Sequence, residues 1–173
     1  MAASAAKDPE NRMLWRANIR QRLDAESLRD AMLSVTGQLD RKMGGPPVKF
    51  KPDNLRRTVY GEVSRTRLDG MLSLFDFPNP NQLSDQRAVT VGPMQRLYFL
   101  NNSFVEAQAK AFADRLQQAA ETDAARVRQA YLLAFSRPPS DEETRVALDF
   151  LRQATWPQYT QVVFASSEFG SLR

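Results

Sequence analysis

Three oxygen-bearing side chains crowd the stretch LFDFPNPN: Asp76, Asn79 and Asn81. Carboxylate and amide oxygens can hold calcium. The 1-4-6 spacing departs from the 1-3-5 of an EF-hand loop, however, and no acidic residue closes it. No metal site is assigned. Asp76 could instead be a general base, which requires a second group in reach. A glycosidase would need a partner carboxyl about 5–9.5 Å away; Glu62 and Asp85 are the candidates. The plainer reading is a joint. Phe75 and Phe77 enter the core, Pro78 and Pro80 stop a helix because they lack the amide hydrogen, and the asparagines bond nearby backbone amides.

A second polar set follows. Arg87 precedes TVGPMQRLYFLNNSF (90–104), which carries Thr90, Gln95, Asn101 and Asn102. Together with Asp76, Asn79 and Asn81, the residues Arg87, Gln95 and Asn101 could contact a ligand or partner. The alternative is structural: a cap at Thr90, a buried face of Met94, Leu97 and Leu100, and an asparagine helix end. A third set is basic. Arg56 and Arg57 stand near Tyr60, and Arg65 and Arg67 follow. Within residues 41–67 they could meet nucleic acid or an acidic partner. No helix-turn-helix, RNA-recognition or zinc-finger signature accompanies them, so nucleic acid is the lesser alternative. Pairing with Asp53, Glu62 or Asp69 is the plainer account of them.

The chain has 173 residues with no histidine and no cysteine. Disulfides, thiolate or imidazole metal sites, attached c-type haem and histidine-dependent nucleophiles are excluded. No catalytic residue, metal or cofactor is assigned to this chain. Net charge is +4, carried unevenly: residues 1–60 hold 12 Lys+Arg against 7 Asp+Glu. The alternation of Arg20, Arg22, Asp24, Glu26, Arg29 and Asp30 reads as a solvated helix face laced with ion pairs. No apolar run approaches the ~20 residues of a membrane span.

The elements that must position these groups are helices. Asp8-Pro9-Glu10 starts one, with Trp15, Ile19 and Leu23 as its stripe. Asp24 caps a second, with Leu28, Met32, Val35 and Leu39 on one face. MGGPP (43–47) ends it. Val59, Tyr60 and Val63 suit a short helix, and Leu68–Phe75 another. Phe104, Val105, Gln108, Phe112 and Leu116 form a longer stripe, and Val127, Ala130 and Tyr131 the next. Ser140 and Glu143 form a capping box after two prolines. Trp156, Tyr159, Val163 and Phe169 mark the last helix. The expectation is an all-α, irregular bundle of six to eight short helices with at most one short strand. Residues 1–7 read as a tail. Residues 8–173 read as one helical domain, whole or a fragment, with a Pro/Asn-rich connection near 76–90.

Five blocks occur in order: DPENRMLWRANIRQRLDAESLRDAMLSVTGQLDRKMGG, RRTVYGEVSRTRL, LFDFPNPN, QRAVTVGPMQRLYFLNNSFV and RQAYLLAFSRPPSDEE. In this order they resemble the C-terminal part of a planctomycete domain family of unknown function. That domain accompanies cytochrome-c-like modules in large exported proteins. Thr90, Pro93, Gln95 and Leu97 match a family block; Val89, Gly92 and Arg96 depart from it. The resemblance implies a periplasmic or cell-surface location, other domains of a parent protein as partners, and haem only in a separate upstream module. It supplies no catalytic residues. The expected role is a non-catalytic packing or interaction module with a capacity for self-association. A carboxylate-dependent enzyme domain acting on polysaccharide is the alternative.

Overall fold

Polar caps and apolar stripes at helical spacing produce seven α-helices among the residues that the computed structural model describes, 6–9 and 21–172. Asp24 accepts a hydrogen bond from the Ser27 amide and opens α1 (Ala25–Thr36), which Gly37 closes in the left-handed conformation. Asp69 opens the short α2 (Gly70–Leu74). Pro93 begins α3 (Pro93–Asn101), and Asn102 caps α4 (Ser103–Ala119). Thr122 caps α5 (Asp123–Phe135). The Ser140/Glu143 capping box opens α6 (Asp141–Leu151), and Thr155/Gln158 open α7 (Trp156–Ala165) in the same way. The architecture is all-α. The one strand-to-strand ladder among the described residues joins β1 (Gln21–Arg22) antiparallel to β2 (Ser171–Leu172).

Helix α4 is the hub. It packs on α1, α3, α5 and most extensively on α7. Val105, Phe112 and Leu116 are fully buried, and Phe112 stacks on Phe164 of α7 with ring centroids 5.6 Å apart. Each such side chain contributes roughly 1.5–3 kcal/mol by leaving water. The α1 stripe holds as expected for Leu28, Met32 and Val35, and Leu33 joins it.

Between α1 and α3 lies a region with few helices. The chain from Gly37 to Asp69 contains only a 3-10 turn at Thr58–Tyr60 and two isolated parallel bridges, Asp40 with Arg56 and Val48 with Gly61. Gly61 is required there. The Phe50 ring lies so close that a Cβ on residue 61 would come within 1.9 Å of it.

Three expectations are corrected. Most of the predicted helix at 8–23 lies outside the described residues, but its end, Gln21–Arg22, is strand, because Leu23 donates its amide to the Gly170 carbonyl at 2.9 Å. The helix predicted around Val59–Val63 is only the 3-10 turn, and both valines are exposed. The alternating charges of α1 are not one solvated face: Arg29 is buried and holds the loop.

Candidate functional site around Asp76

The joint after α2 is built on a strained residue. Asp76 has φ +60°, in the left-handed region where a non-glycine residue costs about 1–2 kcal/mol. Aspartate tolerates that region better than most, and here it gains two partners. Its carboxylate accepts the Thr90 amide at 2.8 Å and the Thr90 hydroxyl at 2.8 Å. Thr90 therefore serves as a clasp rather than the cap of α3. Gly92 takes the cap position, and Gln95 folds back to accept the Gly92 amide at 3.3 Å. Gln95 is buried and also donates to the Leu74 carbonyl at 2.8 Å. Its amide thus ties α3 to the end of α2.

Arg22 donates to the Thr90 carbonyl and lies over the Phe75 ring. Arg87 pins the same segment from the other end, with a two-pronged pair to Glu26 at 2.8 Å and a weaker contact to Asp24 at 3.4 Å. The hydrogen bonds to Glu26 hold Arg87 more firmly in its charged form. Phe75 is buried, and Phe77 is half-buried under the Arg87 guanidinium. Asp76, Arg87 and Gln95 thus line one cleft of about 330 Å³. Asp24 is the other carboxylate in its wall. Both acids are engaged: Asp76 with Thr90, Asp24 with Arg87 and the Ser27 amide. Glu62 and Asp85, the partners an acid/base pair would need, do not line this cleft.

The remaining polar candidates lie elsewhere. The Asn79 side chain accepts the Asn81 amide at 3.0 Å, and Asn81 donates to the Arg65 carbonyl at 2.7 Å. Asn101 bonds back to Leu97 within its own helix at 3.1 Å. Arg56 donates to the carbonyls of Gly44 and Pro46 and stacks 4.2 Å from the Tyr60 ring centre. Arg57 approaches Asp30 at 3.8 Å. Arg65 and Arg67 are exposed. Arg56 is therefore committed to the fold around it, whereas Arg57, Arg65 and Arg67 are exposed.

A family model described as PSD1, Protein of unknown function (DUF1553), matches residues 1–151. The chain belongs to this family. No curated protein and no solved structure matches it. Within the span of the DUF1553 match, α3 departs most from its sequence pattern. Met94, Leu97 and Leu100 were expected inside, yet they are 63%, 47% and 53% exposed. Gln95 and Phe99 are buried instead. Apolar residues occupy both sides of α3, so periodicity cannot choose the inner one. Two features decide it: the Gln95 amide bonds, and the edge-on contacts of Phe99 with Phe75 and Tyr98. The outer residues gave one usable signal in advance, since the helix has more apolar positions than one face can bury.

Proposed function

We propose that this DUF1553 chain is a non-catalytic helical packing module of a larger exported, cytochrome-c-associated protein, with the outer face of α3 as its contact surface. One observation carries the reading. Val91, Met94, Leu97 and Leu100 all stand exposed along a single short segment. Isolated exposed apolar residues are ordinary, but a continuous set marks an interaction surface. The partner's chemistry follows from the charge. Between Ala88 and Val105 the only charged residue is Arg96. A fitting partner offers an apolar surface with an acidic rim, supplied by another domain of the parent protein. Without that domain, the face draws two copies of the chain together. The engaged state of Asp76 and Asp24 favours this reading over a carboxylate enzyme.

The test is sedimentation velocity on the isolated chain across a concentration series. Self-association that disappears in the double variant Met94→Glu/Leu97→Glu supports the proposal. Both positions are exposed, so the variant retains its fold, which circular dichroism checks. A wild-type chain that stays monomeric throughout and binds no apolar dye overturns it.

A further inference from the structure

We infer that the cleft between α1, α2, the start of α4 and residues 50–52 binds a small organic oxyanion, with a cyclic apolar body and a carboxylate or phosphate group. The cleft measures about 340 Å³, within the range of small-molecule sites. Its central feature is Arg29, only 3% exposed. Loop carbonyls hold one side of the guanidinium. Nη1 donates to the Arg56 carbonyl at 2.9 Å and the Thr58 hydroxyl at 3.2 Å, and Nη2 donates to the Asn54 carbonyl. The ring centres of Phe104 and Phe50 lie 4.9 and 5.5 Å from its central carbon.

Among the described residues no carboxylate comes within ion-pair distance of Arg29, and its Nε makes no hydrogen bond. The guanidinium's direct acceptors are therefore neutral, and the nearest carboxylate, Asp30, reaches it only through the Thr58 hydroxyl, which donates to Asp30 at 2.6 Å. That arrangement is costly without a counter-charge. Burial pulls the Arg29 pKa down, and the negative charges of Asp30 and Asp69 oppose that pull. Asp69 also lines the cleft and offsets part of the Arg29 charge at a distance, while its Oδ1 accepts the Met71 amide at 2.9 Å and caps α2. An incoming anion would be the missing partner.

Two further features point the same way. Lys51, exposed on the cleft wall, adds a second cation with no ion pair among the described residues. The 17-residue helix α4 begins here, so the positive end of its dipole faces the same space. Phe50, Tyr98 and Phe104 supply apolar ring surface. Cations at one end and rings along the sides suit a cyclic acid better than a bare inorganic ion. This site is separate from the outer face of α3 and does not depend on the role proposed for it.

The experiment is calorimetric titration of the full chain with benzoate, phenyl phosphate, benzyl alcohol and inorganic phosphate. Benzoate and phenyl phosphate separate the carboxylate from the phosphate source. At least one of them is expected to bind with one-to-one stoichiometry, about tenfold or more tighter than benzyl alcohol. Lys51→Glu should weaken that binding by at least tenfold, whereas Arg65→Ala should leave it unchanged. Arg29→Ala removes the loop's anchor and can unfold it, so Lys51 carries the test. Absence of binding by both aromatic anions overturns the proposal. So does equal binding of benzyl alcohol, equal binding of inorganic phosphate, or an unchanged titration in Lys51→Glu.

Discussion

From Ser103 to Ala165 the chain buries apolar side chains and lets its backbone bond within helices; from Gly37 to Gly92 it buries little and fastens its backbone with side chains. In the first region, Phe104, Val105, Phe112, Leu116, Val127 and Phe164 form a continuous apolar interior. In the second, arginines and acids do the fastening. Arg29 holds the carbonyls of Asn54 and Arg56, Arg56 holds those of Gly44 and Pro46, and Asp30 takes both the amide and the hydroxyl of Thr58. Asp76 and Arg87 do the same for the segment before α3. Burial of apolar area is non-directional and cooperative across the interior. A side-chain clamp is directional and local, with a net worth of about 1 kcal/mol when neutral and somewhat more when charged. The two regions should therefore fail differently.

The largest effect is expected from Phe112→Ala. The ring is fully buried against Phe164, and its loss should cost about 3–5 kcal/mol. Because α4 also supports α1 and α3, both regions should unfold together in urea, with circular dichroism and tryptophan fluorescence giving one midpoint. A cost below about 1 kcal/mol would remove α4 from its place as the hub.

Asp76→Ala comes next, at about 1–2 kcal/mol, from two lost hydrogen bonds and a Cβ residue left at positive φ without compensation. Its effect should be local. Amide exchange should quicken across residues 79–92 while the thermal midpoint of the whole molecule shifts little. Asp76→Asn should do less, since asparagine tolerates the same backbone conformation and keeps an acceptor for the Thr90 amide. If Asp76→Ala destabilised the whole chain as much as Phe112→Ala, the contrast between the regions would be wrong.

The same contrast explains what could be read from the sequence. Helix stripes and caps are local signals. Phe104 through Leu116, the Ser140/Glu143 box and the Asp24 cap all stand where spacing put them. The clamps are not local. Arg29 bonds to carbonyls 25 and 27 residues away, so nothing in its neighbourhood distinguishes it from a solvated arginine. Asp76 meets Thr90 across 14 residues. Composition named Asp76, Arg87 and Gln95 as candidates, and the fold brings them to one cleft. It sends Asn79, Asn81 and Asn101 elsewhere. Carbonyl partners leave no trace in residue type, which is why the loop's anchors, the inner face of α3 and the cleft at Arg29 became visible only in three dimensions.

Polar clamps occur in the helical half as well, and the one at Arg137 sharpens the comparison with the smallest effect. Arg137 pairs with Glu143 at 2.6 Å and with Glu168 at 2.8 Å, just before α6. The Arg137 hydrogen bonds, with help from the Ser140 amide, hold the Glu143 carboxyl down to about 2 from the usual 4.5. The folded state thus prefers the ionised form. Its stabilising contribution is complete above the ordinary value of 4.5 and fades as pH falls toward 2. Glu143 is a third exposed, so solvent screening limits the contribution to about 1 kcal/mol. Glu143→Gln keeps an acceptor for the Ser140 amide while removing the charge. The expected result is a loss of about 1 kcal/mol at neutral pH and a flatter decline in stability through the acid window. Wild-type and variant curves should converge at the acid end, where both side chains are neutral. If the two curves run parallel through that window, the Arg137–Glu143 pair contributes nothing to the stability of the helical half.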